Sequence, residues 1–278
     1  MNIYARSCVI PYLFSFSCFS ILTLGFYAMP ESAMATELVD SSLASSALEK
    51  PYGETQQAAV SPVRNYSEAQ QRQHYEQLLE EFGQHKTLPE GFELQALIAL
   101  SHYPELKTIK IRFIVDDVSI PLSSRPYWAS LHRSGKKRTY LVVIDSHLSG
   151  NRDVLLLKNQ PFNAQIGILG HELAHAVYYL ERSLLGIIGD GLCQLSSCRI
   201  EFERDTDRRL ITYGLGWQRL DHASFVRRRF AQELSLQDGT TESQPQQSIT
   251  KSAYMDPAQL QAIMVMNPTY GIKASIER

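Results

Sequence analysis

Residues 164–181 constrain the fold more than any other stretch of this chain. Ile166, Leu169, Leu173, Val177 and Leu180 recur at helical spacing and form one apolar stripe. The rest of the segment is mostly apolar as well, and Asn163 ahead of it is a residue of N-cap type. His171, Glu172 and His175 interrupt it. A helix of this kind has to be covered, and 44% hydrophobic residues are enough to build a core around it.

The flanking sequence supplies the covering elements. Tyr75, Leu78, Leu79 and Phe82 share one side of a helix predicted over Tyr66–Phe82, and a shorter helix fits Phe92–Ser101 ahead of Pro104. In Thr108–Val115 the period changes: Ile109, Ile111, Phe113 and Val115 alternate with Lys110 and Arg112, as in a half-buried strand. Tyr127–Arg133 and Arg138–Asp145 read as two further strands, joined by a Ser134–Lys137 hairpin turn. Beyond the central helix, Gly186–Ser197 reads as a loop. Ile200–Tyr213 is a helix ended by Gly214, and Trp217–Leu234 is a third. Gln237–Ser252 is polar and reads as mobile, and a short helix starts at Pro257. The expected architecture is α+β: mostly helical, with a small antiparallel sheet bordering the central helix. One domain spans 66–236, and 237–278 form a polar mobile segment with a short C-terminal helix.

The N-terminus looks like a targeting segment. Arg6 is the only charge before Glu31, Val9–Met29 is almost wholly apolar, and Ala33-Met34-Ala35 fits a small-residue cleavage site. Residues 1–35 are therefore expected to be a signal peptide, with an uncleaved membrane anchor as the alternative. Thr36–Asn65, rich in Ser, Ala and Gln, reads as a flexible leader. The bulk of the chain is then exported, periplasmic or secreted, and touches the membrane only if the segment stays uncleaved. Cys193 and Cys198 fit that setting as a small disulfide loop; two buried thiols or a zinc pair are the alternatives. A formal charge of −2 argues against a nucleic-acid partner.

His171-Glu172-Leu173-Ala174-His175 makes chemical sense on a helix. Residues four apart share a face, so both imidazoles can aim at one point. Glu172 lies about 100 degrees round the helix from His171, where its carboxylate can reach a water beside a metal without ligating the metal. A catalytic zinc site needs a third protein ligand. The acidic run Glu201–Asp207 offers one: Glu203 and Asp207 are four apart, so Glu203 could ligate while Asp207 takes the N–H of a liganding histidine. Glu201 is the rival ligand. A solvated helix face paired with Arg199, Arg204, Arg208 and Arg209 is the alternative for the whole run.

Gly170-His-Glu-Leu-Ala-His175 followed by Glu203-Arg-Asp-Thr-Asp207 resembles the gluzincin metallopeptidases of the HtpX and CAAX-prenyl-protease type. Those enzymes pair His-Glu-x-x-His with a later Glu-x-x-Ala-Asp on another helix. The resemblance covers Asn163 to about Tyr213, and Thr206 departs from the family's usual alanine. It implies a zincin-like fold, Zn²⁺ held by His171, His175 and Glu203, Glu172 as general base and Asp207 behind the ligands. The expected function is zinc-dependent endopeptidase action on protein or peptide substrates in the cell envelope or outside the cell. A zinc-stabilised binding or chaperone-like module that does not cleave is the alternative. Strand 138–145 is expected to border the cleft and pair with an extended substrate. Tyr213, His222 and Tyr178 are candidates by residue type for a second acid or oxyanion donor. Arg227-Arg228-Arg229 reads as a solvated helix face.

Overall fold

A computed structural model describes residues 61–118, 122–147, 153, 155–194, 197–237 and 254–271. Residues 1–35, expected to be a signal peptide or anchor, residues 36–60 of the expected leader and the polar stretch 238–253 lie outside the described residues. Besides short 3-10 turns, the described elements in chain order are α1 (Glu68–Gln73), α2 (Tyr75–Phe82), β1 (Lys86–Thr87), α3 (Glu93–Ser101), β2 (Lys110–Asp116), β3 (Leu122–Pro126), β4 (Thr139–Asp145), α4 (Phe162–Leu180), α5 (Leu184–Cys193), α6 (Cys198–Thr212), α7 (Gly216–Gln237) and α8 (Pro257–Met266). The fold is mostly helical with a small mixed sheet, and no described helix is long and apolar enough to cross a membrane.

Every residue of α4 from Ala164 to Val177 is buried. Helices α3, α6 and α7 and strand β3 pack around it. The tightest approach is to α7. A Cβ built on Gly167 would stand 2.2 Å from the Gln218 carbonyl oxygen, so only glycine lets the two backbones touch there. Asn163 is not the cap, because the helix starts one residue earlier, with Pro161 in the cap position. The Asn163 amide instead binds both main-chain groups of Tyr66, at 2.8 and 2.9 Å. Residues 63–64, read as the end of the leader, are held on α7. The Val63 carbonyl accepts from Gln218 at 2.9 Å, and Arg64 pairs with Asp221 and lies over Trp217. Helix 66–82 is broken at His74 into α1 and α2.

The sheet is mixed, not antiparallel. Its order is β1-β2-β4-β3, with β1, β2 and β4 parallel and β3 antiparallel to β4. The alternation read in Thr108–Val115 appears in β2, where Ile111 and Phe113 are buried and Lys110 and Arg112 exposed. The expected hairpin partner does not form. Residues 128–130 and 135–137 are 3-10 turns, and the strand antiparallel to β4 is β3, further upstream. The local reason is Ser130, whose hydroxyl donates to the Tyr127 carbonyl and accepts from Thr139 N–H, turning the chain where a strand would run on. Both edges of β4 are therefore occupied, and all seven of its residues are buried, which explains its nearly unbroken apolar run.

Residues 186–193 are helical, not a loop. Ser183 caps α5 by accepting from Gly186 N–H, and Arg182 pairs with the buried Asp190. The Cys193–Cys198 disulfide joins the end of α5 to the start of α6. Gly214, at φ 85°, lies just past α6 in the left-handed conformation expected after a helix end. The helix foreseen at Pro257 is α8. Asp256 and Gln259 cap it reciprocally, and it packs on α6 and α7. The Tyr270 hydroxyl behind it donates to the Ile211 carbonyl and accepts from Gly216 N–H.

Candidate metal centre

Helices α4 and α6 bring three donors together. His171 Nε2 and His175 Nε2 lie 3.1 and 3.3 Å from the same atom, Glu203 Oε2. All three side chains are buried, and they are the only such group among the described residues. A four-residue step on α4 stacks the two histidines one turn apart, and Glu203 enters from the facing turn of α6.

The other nitrogen of each imidazole is engaged. His171 Nδ1 donates to Asp207 Oδ1 at 2.8 Å, and His175 Nδ1 donates to Thr206 Oγ1 at 3.2 Å. Thr206 passes its own hydroxyl proton to the Phe202 carbonyl at 3.0 Å, which leaves its oxygen free to accept. Each ring is thus held with its Nε2 facing Glu203, where it donates to the carboxylate and, once deprotonated, can bind a metal. Phe202 stacks on the His175 ring at 5.1 Å and fixes its plane. Thr206, which departs from the alanine of the resembled pattern, therefore orients the second histidine.

Asp207 sits at the hub of a wider network. It accepts from His171, from Arg219 Nε at 2.6 Å and from the main-chain N–H of Met255 at 3.3 Å. Arg219 is itself buried, under the ring of Tyr254. Arg219, Tyr254 and Met255 were missed by sequence reasoning. They follow the acidic helix by about one to four dozen residues and share no spacing with it. The one available signal was an arginine on a helix otherwise expected to pack, and it does not specify a partner.

The electrostatics follow from burial and these contacts. At Glu203 burial opposes ionisation, but hydrogen bonds from His171 and His175 outweigh it and hold the carboxyl below the usual carboxylate range. Asp207 is likewise held low against its burial, by Arg219 and His171. Burial disfavours a charged His171, yet Asp207 and Glu203 reverse the balance and raise it to about 9. Glu172 is different: burial dominates and pushes its carboxyl up.

The donor set fits a divalent cation. Two ligands at about 2.0–2.1 Å from one tetrahedral ion are separated by about 3.3–3.4 Å, close to the spacing of each Nε2 from Glu203 Oε2. The carboxylates that raise His171 supply the negative charge such an ion requires. Two nitrogens and one carboxylate oxygen suit zinc, though other divalent metals accept the same set.

The remaining sequence candidates lie elsewhere. Glu201 is turned to solvent and pairs with Arg208 at 2.6 Å. Tyr213 donates to Glu105, Tyr178 to Asp190 and His222 to Gln160. Arg227, Arg228 and Arg229 are exposed. Strand β4 has no free edge for a peptide, because β2 and β3 flank it. No family model, curated protein or solved structure matches the chain.

Proposed function

We propose that this chain is a zinc-dependent endopeptidase of the gluzincin type. Zinc would be held by His171, His175 and Glu203, and Glu172 would act as the general base. The observation that carries this is the convergence of both Nε2 atoms on Glu203 Oε2, with Glu172 next to His171 on α4. A purely structural zinc site is closed by a fourth protein ligand and has no need of a base. Here only three donors converge among the described residues, and the Glu172 carboxylate on the same helix is close enough to feel their charges.

Zinc bound there supplies Lewis acidity, lowering the pKa of a water toward about 7 and polarising a carbonyl. The chain's own residues do the rest. Glu172, its pKa raised by burial, takes a proton from the attacking water and holds it. It then delivers that proton to the leaving amine as the carbon–nitrogen bond breaks. Asp207 and Thr206 keep the histidine rings from turning during this exchange. With β4 enclosed, an extended substrate would lie along β3, the edge strand that packs against α4. Pro126 is tolerated in β3 because an edge position does not need every N–H.

The substrates would be proteins of the cell envelope or the exterior, reached after export through the N-terminal segment. The test is to measure bound metal and cleavage of casein, an unstructured protein, by wild type and Glu172→Gln. Equal zinc with cleavage lost in the variant is the expected result. Zinc without cleavage in wild type would instead favour a non-cleaving zinc-stabilised module, and no bound metal at all would overturn the proposal.

A further inference from the structure

Helix α5 turns an apolar face to solvent. Leu184, Ile188 and Leu192 stand four residues apart and Leu185 adjoins them; their exposures, in that order, are 42, 52, 54 and 79%. Gly189 and Gly191, three or four residues from Leu185 and Ile188, border that face, and a methyl built on either would meet nothing within 4 Å. The one ionisable side chain of α5, Asp190, is buried. Several ties hold the helix in this orientation. Ser183 caps it, Asp190 accepts from Arg182 at 2.6 and 2.9 Å and from Tyr178 at 3.1 Å, and Cys193 is bonded to Cys198 on α6. Ile187 packs against the core. Turning the leucines and Ile188 inward would break these ties.

The surroundings of the face identify its occupant. Gly135 is pressed against the Leu180 backbone, and Arg138 donates to the Arg182 carbonyl at 2.7 Å. The Tyr127 N–H donates to the Thr139 carbonyl at 2.7 Å. The turns 128–130 and 135–137 therefore gather where the chain enters α5, and they carry Trp128, 74% exposed, with Lys136 and Lys137. Among residues 127–138 and 180–193, the exposed ionisable side chains are His132, Arg133, Lys136, Lys137 and Glu181. Contiguous exposed apolar side chains of this kind mark an interaction surface. A second copy of the chain would bring the same cations, with Glu181 alone to meet them. A bilayer with anionic headgroups answers both features: acyl chains take the apolar side chains, phosphates take the lysines, and a tryptophan suits the boundary between them. Ten residues reach about 15 Å, half of what a spanning helix needs, so α5 would lie along the surface.

We propose that α5 is a membrane-docking surface: Leu184, Leu185, Ile188 and Leu192 enter the acyl region of an anionic bilayer while Lys136 and Lys137 rest on its phosphates. The contact needs neither the N-terminal apolar segment nor the metal reading. It places the candidate centre near the lipid, because Tyr178, which holds Asp190, meets Phe202 edge-on, and Phe202 stacks on His175.

The experiment titrates full-length Leu185→Trp with vesicles of phosphatidylcholine, alone or mixed with phosphatidylglycerol, brominated on their acyl chains. Bromine quenches an indole at close range, and subtracting wild type removes Trp128 and Trp217, so the difference reports on position 185. Quenching is expected, and at less lipid with the mixed vesicles. Adding Ile188→Glu and Leu192→Glu should raise the lipid needed by about 100-fold, since each removes about ten-fold of apolar burial. Adding Lys136→Gln and Lys137→Gln should raise it about 25-fold on the mixed vesicles and little on phosphatidylcholine alone. Melting followed by circular dichroism should match wild type throughout, because the replaced side chains already face water. No quenching in Leu185→Trp, or titrations that ignore both sets of substitutions, would overturn the proposal. Sedimentation velocity tests the other occupant: a dimer broken by Ile188→Glu and Leu192→Glu, with no quenching by lipid, would assign the face to a second copy instead.

Discussion

Replacing Arg219 with methionine probes how far the support of the site reaches. Arg219 is 2% exposed and Asp207 is 0% exposed at the side chain. The guanidinium donates to Asp207 Oδ1 at 2.6 Å through Nε and to Oδ2 at 3.4 Å through one Nη. Methionine keeps much of the stem's volume and removes both donors. Asp207 would retain the N–H groups of His171 and Met255, at 2.8 and 3.3 Å. Removing one partner of a buried ion pair costs about 3–5 kcal/mol, because the other charge stays desolvated. The two retained bonds place Arg219→Met near the lower end, about 3 kcal/mol. Zinc affinity should fall by about 10–100-fold, since His171 loses a fixed acceptor for its N–H. Asp207→Asn with Arg219→Met completes a double-mutant cycle, and the two costs should overlap by about 2 kcal/mol because one interaction is being removed twice. Urea unfolding followed by circular dichroism gives the stabilities, and chelator competition gives the affinities. A loss below about 1 kcal/mol with zinc affinity within about two-fold, or full additivity in the double variant, would refute the reasoning.

Three further outcomes follow from particular contacts. In Gly167→Ala the new methyl would stand 2.2 Å from Gln218 O and 2.7 Å from Arg219 N, both backbone atoms. Overpacking of about 1–3 kcal/mol should outweigh a propensity gain of up to about 1 kcal/mol, lowering the melting temperature and, by shifting Arg219, the zinc affinity. Thr206→Val keeps shape but removes the acceptor of His175 N–H, so zinc affinity should drop about ten-fold, with Thr206→Ser restoring it. His102 accepts from the Tyr66 hydroxyl and donates to the Tyr213 carbonyl, an arrangement suited to the neutral ring. Burial lowers it to about 4, against a hydrogen bond to Tyr213 that raises it. Because the folded value lies below the unfolded one, its contribution is constant above about pH 6.5 and stability is lost as pH falls from there to about 4. The total is about 3 kcal/mol. His102→Gln should flatten that acid limb relative to wild type in urea titrations at pH 7, 5.5 and 4.5, and an unchanged slope would exclude His102 as its source.

The sequence was most readable where one helix or strand carries its own pattern. The apolar stripe from Ile166 to Leu180 located α4, and the alternation from Ile109 to Phe113 located β2. It was least readable where a side chain redirects the chain. The segment from Tyr127 to Arg133 has strand composition, but the Ser130 hydroxyl ties it into a turn and leaves β3 as the partner of β4. Gly186–Ser197 reads as a loop in sequence, yet the Ser183 cap and the Arg182–Asp190 pair hold a helix over Leu184–Cys193, which the Cys193–Cys198 bond ties to α6. Sheet order was invisible for a different reason. Strand pairing joins segments far apart in the chain, here β2 with β4, and local periodicity does not say which segments meet.

The same distinction runs through the candidate site. On α6, positions 203, 206 and 207 share one face, and each meets the histidine pair: Glu203 between both Nε2 atoms, Thr206 at one Nδ1 and Asp207 at the other. One helical face thus holds a ligand and both orienting groups, and the spacing was readable as far as Glu203 and Asp207. Thr206 escaped because its hydroxyl looks like a neutral departure until the donation to the Phe202 carbonyl shows which way its lone pairs point. Arg219 and Met255 escaped more completely, since each reaches Asp207 from a separate element. Their placement has a physical consequence. A carboxylate buried with only one histidine beside it would be costly to keep ionised, and a protonated Asp207 could not fix the tautomer of His171. The ligand geometry written into α4 and α6 therefore depends on α7 and on the residues leading into α8, so losing the segment from Tyr254 onward should weaken metal binding even though it contains no ligand.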